Sequence, residues 1–393
     1  MTERRSISCL LAAAALICLP GKIPAQSACG PFTDVSANDV FCPFILQAFV
    51  GGLTNGTSAT TFSPTDPVTR EQVVTFVNRG IDSTLNRGNL RTAMGKTWGP
   101  TSTFGATASD VGGSMNDIVT DGTNLWIARN DGKIVKASVA DRRVLETWGI
   151  ATGSPRRLGV FGGLVFVADN QGNLQYFNPT SAPVLPTMVA SSALVPSNFA
   201  ALAYDGTNVW MANANTSMVL IAMINSVTTA TFDMGANVDG LLFDGTYMWV
   251  LLANSKIQKM SLPSVPSTPP SVVETLTIPG PVTDCRMVFD GVNIWLPTGS
   301  GTLYVIRPTT NALPSTVTTV GAIAGVGLPY VAAFDGENVM IGGVSNGVVA
   351  LYKASSLTPI RSFPVGASGI RGIASDGRTF NIGDIGASKF FQY

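Results

Sequence analysis

The chain has 393 residues, of which 45% are apolar and only 12% charged, and 24 Lys+Arg balance 24 Asp+Glu. No basic excess is present to hold a phosphate backbone, which argues against a nucleic-acid partner. Histidine is absent, and with it go Ser-His-Asp and Cys-His triads, most zinc sites and any His general base. No catalytic set, metal or cofactor is therefore expected, and an enzyme built from this chain would have to work with carboxylates, Tyr, Arg or Lys.

In chain order, Arg4 and Arg5 precede an apolar run from Ser8 to Leu19, which Pro20-Gly21 breaks before the small residue Ala25. A basic start and an apolar run too short to span a bilayer read as an export signal over residues 1–25. The rest of the chain offers no membrane span, so the expected location is outside the cytoplasm, at the cell surface or in the periplasm or envelope. Of five cysteines, Cys9 and Cys18 would leave with the signal. In an oxidising compartment Cys29 and Cys42 could form a disulfide across a short loop. Cys285 lies in an apolar stretch and is expected as a buried thiol.

Residues 29–90 carry two helical patterns around a turn-rich stretch. Phe41, Phe44, Ile45, Ala48 and Phe49 recur at three and four, which predicts one apolar face. Ser36 or Asn38 is placed to cap that helix, and Gly51-Gly52 to end it. The second helix is expected to begin at Thr69, where Thr69-Arg70-Glu71-Gln72 fits a capping box. Val73, Phe76 and Val77 form its apolar stripe, and Gly80 follows its last turn. A unit of this size is marginal alone, which gives a Cys29–Cys42 link a physical use. Arg70 opposes the positive end of the helix dipole; a cation there makes sense where an anion also binds.

This segment resembles an S-layer homology module. The resemblance rests on "FTDV" at Phe32 to Val35, on the apolar first helix, and on "GGLTNGTSATTFSPTDPVTREQ" at Gly51 to Gln72. It implies docking onto cell-envelope polysaccharide, often anionic. The implied contacts are the motif residues Asp34, Gly56, Thr69 and above all Arg70. The chain departs from the family pattern in carrying one such module and in having Phe41 where a Trp is usual.

From about residue 93 to 393 a repeat takes over. Asp-Gly pairs begin at Asp121, Asp205, Asp244, Asp290, Asp335 and Asp376, and Phe161-Gly162 fills the one double-length gap. Seven copies, 39 to 46 residues apart, match the period of four-stranded propeller blades. In each copy an apolar strand ends at the Asp-Gly turn. A second strand carries Trp126, Phe166, Trp210, Trp249, Trp295, Met340 or Phe380, and a second Gly/Asn/Asp-rich turn and two further strands follow. The aromatic residue is expected as core between blades rather than as a ligand platform. The last copy has three strands. "GKTWGP" at Gly95 to Pro100, which resembles the fourth strand at Leu145 to Ile150, is expected to complete it and close the ring.

The fold class is thus mainly β: a seven-bladed β-propeller of four-stranded blades, its last blade closed by an N-terminal strand, preceded by a small α-helical module. The repeat "DGTNVWMAN" resembles the YVTN/streptogramin-lyase-like propellers. The lyases of that group rely on a His that this chain lacks, so their activity does not carry over. Gly343-Val344-Ser345-Asn346-Gly347 has the form of a nucleophile elbow but sits at a hairpin. The Pro-rich stretch Leu262 to Ser271 reads as a surface excursion. The functional expectation is a non-catalytic envelope protein. Its module would hold an anionic polysaccharide, and the propeller mouth would hold an unknown protein or glycan. The alternative is a polysaccharide hydrolase or lyase with a His-free site in the propeller funnel.

Overall fold

A computed structural model describes residues 28–50, 54–77, 109–150, 153–179, 187–190, 199–223, 229–282, 285–309, 314–386 and 388–393. The expected export signal, Gly51-Gly52, Gly80 and the strand expected at 95–100 lie outside the described residues. The chain divides into two units, Met1–Arg87 and Gly88–Tyr393. Among the described residues no helix is long and apolar enough to cross a membrane.

In the first unit, Ala28–Cys29 pairs antiparallel with Phe32–Ser36 ahead of a helix over Cys42–Val50. A second helical segment covers 70–77. Cys29 and Cys42 are joined by a disulfide with their Cα atoms 5.6 Å apart. That bond sets the helix face. Cys29, Phe32, Val35, Cys42 and Ile45 form the core, with Leu46, Phe49 and Phe62 packed against it. The buried stripe is therefore Cys42, Ile45, Leu46 and Phe49, at the spacing of one helical face. Phe41 and Phe44, expected on that face, are 64% and 65% exposed. The cap also differs from expectation: Asp39 Oδ1 accepts the Phe41 N–H at 2.8 Å. The stripe Val73, Phe76 and Val77 is exposed as well.

Replacing both Cys29 and Cys42 by Ser is expected to destabilise this unit by about 2–4 kcal/mol, since a short loop loses its constraint in the unfolded chain. Hydrogen exchange at residues 28–50, with and without reductant, reads that loss directly.

The second unit contains seven four-stranded antiparallel sheets. Blade 1 runs from Met115 to Gly149, blade 2 from Pro155 to Ala190, blade 3 from Phe199 to Asp233 and blade 4 from Val238 to Thr277. Blade 5 runs from Val288 to Ala322, blade 6 from Pro329 to Ala367 and blade 7 from Ile370 to Gln392. The fourth strand of blade 7 is Ser109–Asp110, antiparallel to Lys389–Phe390. The following residues are pinned too: the Arg129 guanidinium donates to the Val111 and Gly112 carbonyls at 2.8 and 2.5 Å.

Apolar clusters join neighbouring blades around the ring. Trp126 packs with Leu158 and Val165 of blade 2, and Trp210 with Val238 and Val250 of blade 4. Trp249 packs with Ile294 and Leu296, and Trp295 with Val339 and Ile341. Ile118 and Leu125 of blade 1 meet Ala374 and Phe390 of blade 7, which closes the circle. Inner strands come close there: a Cβ added to Gly372 would lie 2.9 Å from the Ile118 nitrogen.

The Asp-Gly turns and the aromatic residues are one device. The Asp205 Oδ1 accepts the N–H groups of Thr207 and Asn208 at 2.8 and 2.6 Å, while its Oδ2 accepts the Trp210 indole N–H at 2.7 Å. Gly206 follows at φ 98°, a conformation that glycine adopts without strain. Asp121–Trp126, Asp244–Trp249 and Asp290–Trp295 repeat the indole bond at 2.7 to 2.9 Å. All four Trp are fully buried, as are Phe166, Met340 and Phe380 in the other blades. The carboxylate thus shapes the turn and satisfies the one polar atom of a buried indole. At Asp121 burial pushes the carboxyl up, but bonds from Asn124, Trp126 and Thr123 outweigh it and hold the group below its usual value.

Candidate functional site

Two places are candidates for a functional site, one in each unit. In the first, Thr69 and Gln72 form a reciprocal cap: Gln72 Oε1 accepts the Thr69 N–H at 2.8 Å, and Thr69 Oγ1 accepts the Gln72 N–H at 3.2 Å. Arg70 opens the helical segment, is exposed, and has no ion pair among the described residues. Asp34 does a different job. Its carboxylate accepts the Phe62 and Ser63 N–H groups at 2.9 and 2.7 Å, which ties the hairpin to the loop before the helix. Those two donors hold its carboxyl below the ordinary range. Gly56 supports the same loop: at φ +77°, an added Cβ would lie 2.4 Å from the Thr61 oxygen and 2.5 Å from the Phe32 ring. Of the four motif residues, Asp34 and Gly56 build the loop, Thr69 builds the helix start, and Arg70 is the one whose charge is offered outward.

The second place is the propeller channel. The inner strands of the seven blades enclose a cavity of about 200 Å³, lined by Asp117, Arg157, Leu158, Leu241, Arg286 and Ile373 among others. Its charged lining, Asp117, Arg157 and Arg286, comes from one position of the inner strand, and the position before it carries further polar groups, of which only Cys285 lines the cavity. One position holds Asn116, Arg156, Asp239, Cys285, Tyr330 and Arg371; the next holds Asp117, Arg157, Gly240, Arg286, Val331 and Gly372. The pairing with the second strand slips at the first of these positions in blades 1, 2, 3, 4, 6 and 7. Such bulges leave one residue unpaired and re-aim its side chain.

Asp117 ties three blades together. Its Oδ1 accepts the Ile118 N–H at 2.7 Å and pairs with Arg286 of blade 5, and its Oδ2 accepts the Leu158 N–H of blade 2 at 2.8 Å. Both oxygens are engaged, which leaves neither poised to take a proton from a ligand. Arg157 donates to the Tyr330 hydroxyl at 2.5 Å and to the Arg156 carbonyl at 3.1 Å. Arg286 also pairs by its backbone with blade 6, donating to the Tyr330 carbonyl at 2.7 Å. Cys285 is buried and belongs to no disulfide among the described residues. Ser345 lies in a hairpin turn between two strands of blade 6, not at a strand-to-helix elbow. No group of three or more Cys, Asp or Glu able to hold a metal occurs among the described residues.

The channel cluster was missed by motif reading because its members are scattered from position 116 to 371. The signal was present nonetheless: four or five residues before five of the seven turns, charged groups interrupt strands that are otherwise apolar.

No family model matches the chain. Over 51 residues it is 45% identical to an endoglucanase of Bacillus sp. (strain KSM-635), a match that covers 13% of this chain and 5% of that protein. The chain therefore spans a small part of the length of that relative. Among solved structures, the β-propeller domain of Cps50 (Swd1) from Myceliophteria thermophila aligns with a TM-score of 0.59 at 9% identity, over 73% of this chain and 98% of that domain. At that identity the likeness shows the fold alone. The second unit is a seven-bladed β-propeller of four-stranded blades.

Proposed function

We propose that this is an exported, non-catalytic envelope protein whose first unit is an S-layer-homology-like module that docks onto an acidic cell-envelope polysaccharide, and whose propeller is a binding platform for a second partner. The observation that carries the reading is Arg70: a cation at the positive end of a capped helix, exposed and without an ion pair among the described residues. Such a placement is unfavourable alone and favourable when an anion joins it. The short match to an endoglucanase, a protein named for action on a glucan, points in the same carbohydrate direction. Export is supported by the basic and apolar character of residues 4–19 and by the Cys29–Cys42 disulfide, since such bonds persist in oxidising compartments. The propeller's many paired strands and locked Asp117 favour binding over chemistry.

The test is co-sedimentation of the full chain with envelope polysaccharide, native or with its acidic groups esterified. The native polymer should pellet the protein and the esterified one should not. Equal pelleting with both would remove the anion from the account.

A further inference from the structure

Four arginines, Arg156, Arg157, Arg286 and Arg371, stand at two adjacent inner-strand positions of blades 2, 5 and 7, against two aspartates, Asp117 and Asp239, at the same level. Asp117 is committed to Arg286 and to backbone donors of blades 1 and 2. Arg157 is committed to the Tyr330 hydroxyl. Arg156 and Arg371 are different. Each is half-buried, one residue from the committed Arg157 or from the close-packed Gly372. Arg156 reaches only the Asn116 side-chain oxygen, at 3.4 Å, and its Nε is buried without a hydrogen-bond partner. Arg371 makes no hydrogen bond or ion pair among the described residues. Burial, and then the charges of Arg371 and Arg157, push the Arg156 guanidinium down from its ordinary value. Like charges gathered in a partly dehydrated place cost stability, and a fold keeps them where something offsets the cost.

We propose that the propeller channel is a binding site for one small oxyanion, a carboxylate or a phosphate group, held by the guanidiniums of Arg156 and Arg371, one strand position before Arg157 and Gly372 and outside the cavity that Arg157 and Arg286 line. Guanidinium forks match both groups bidentately. This deepens the platform reading of the propeller and rests on it, but it stands apart from polysaccharide docking through Arg70, which lies in the other unit.

The experiment is thermal unfolding of the full chain by tryptophan fluorescence. All six Trp lie in the second unit, so the signal reports on the propeller. The probes are sodium phosphate and sodium galacturonate, with sodium chloride at matched ionic strength as control. At saturating concentration one or both probes should raise the midpoint by about 3 °C or more over chloride; which of them does so assigns the group as phosphate or carboxylate. In the double variant Arg156→Gln, Arg371→Gln the ligand shift should vanish, while the ligand-free midpoint stays level or rises because like-charge crowding is relieved. Arg70→Ala should keep the full shift, so a failed polysaccharide assay and a failed channel assay are told apart. The proposal is overturned if neither probe moves the wild-type midpoint, or if the double variant responds as the wild type does. It also falls if the ligand-free double variant melts well below wild type, which would make the two guanidiniums structural supports.

Discussion

Trp249→Ala is expected to lower the stability of the propeller by about 3–5 kcal/mol, the range for deleting a large buried aromatic side chain. The indole is fully buried between blades 4 and 5, packed with Ile257, Ile278, Ile294, Leu296 and Ile306. Its N–H donates to Asp244 Oδ2 at 2.7 Å, and the Lys259 ammonium stands 5.8 Å from the ring centre. Truncation would open a void in the seam between blades and remove a donor from the carboxylate that shapes the preceding turn. Trp249→Phe should cost clearly less, because it keeps most of the apolar contact and loses the N–H. Urea unfolding followed by circular dichroism measures both. A loss of under about 0.5 kcal/mol for Trp249→Ala, the scale of a surface change, would contradict the view that these residues hold the blades together.

The second large effect belongs to Asp117→Ala, expected to cost about 3–5 kcal/mol, as when one member of a buried ion pair is removed. Asp117 is 2% exposed. It receives N–H groups from blades 1 and 2 and a guanidinium from blade 5, across the channel. Without it, the Arg286 charge remains inside with its carboxylate gone. The pair Asp117→Ala, Arg286→Met should recover part of the loss, since it removes the stranded charge as well as its partner. A double variant no more stable than Asp117→Ala would show that the carboxylate acts through its backbone bonds rather than through the ion pair.

These effects trace which parts of the molecule could be read from sequence. The blade count was legible because the Asp-Gly turn and the aromatic residue five positions on recur at a nearly fixed period, and even the degenerate Phe161-Gly162 copy keeps the hairpin. The reason for the pairing was less visible: Asp and Trp recur together because one carboxylate oxygen holds the turn and the other holds the indole. The face of the first helix was legible in part: Ile45 and Phe49 of the expected stripe are in the core, but periodicity also counts Phe41 and Phe44, whereas the disulfide turns Cys42 inward and leaves those two exposed. The strand that pairs with the end of blade 7 is Ser109–Asp110, a two-residue stretch with no apolar alternation to announce it. The channel cluster was hidden by distance along the chain, since it exists only when the inner strands of different blades are laid side by side. At the first unit the capping box was legible, and so was the oddity of Arg70. The loop-building work of Asp34 and Gly56 was not, because it depends on contacts 28 and 5 residues away.

In the proposed reading, Arg70 is the anion contact through which the first unit would dock on an acidic polysaccharide. The most direct measurement is the dissociation constant of the full chain for purified acidic envelope polysaccharide, by co-sedimentation, for wild type, Arg70→Lys and Arg70→Ala. Arg70→Ala is expected to lose affinity by tenfold or more, as for a charge-assisted contact worth about 1.5 kcal/mol, and Arg70→Lys to fall between. An Arg70→Ala variant that binds as tightly as wild type would contradict it.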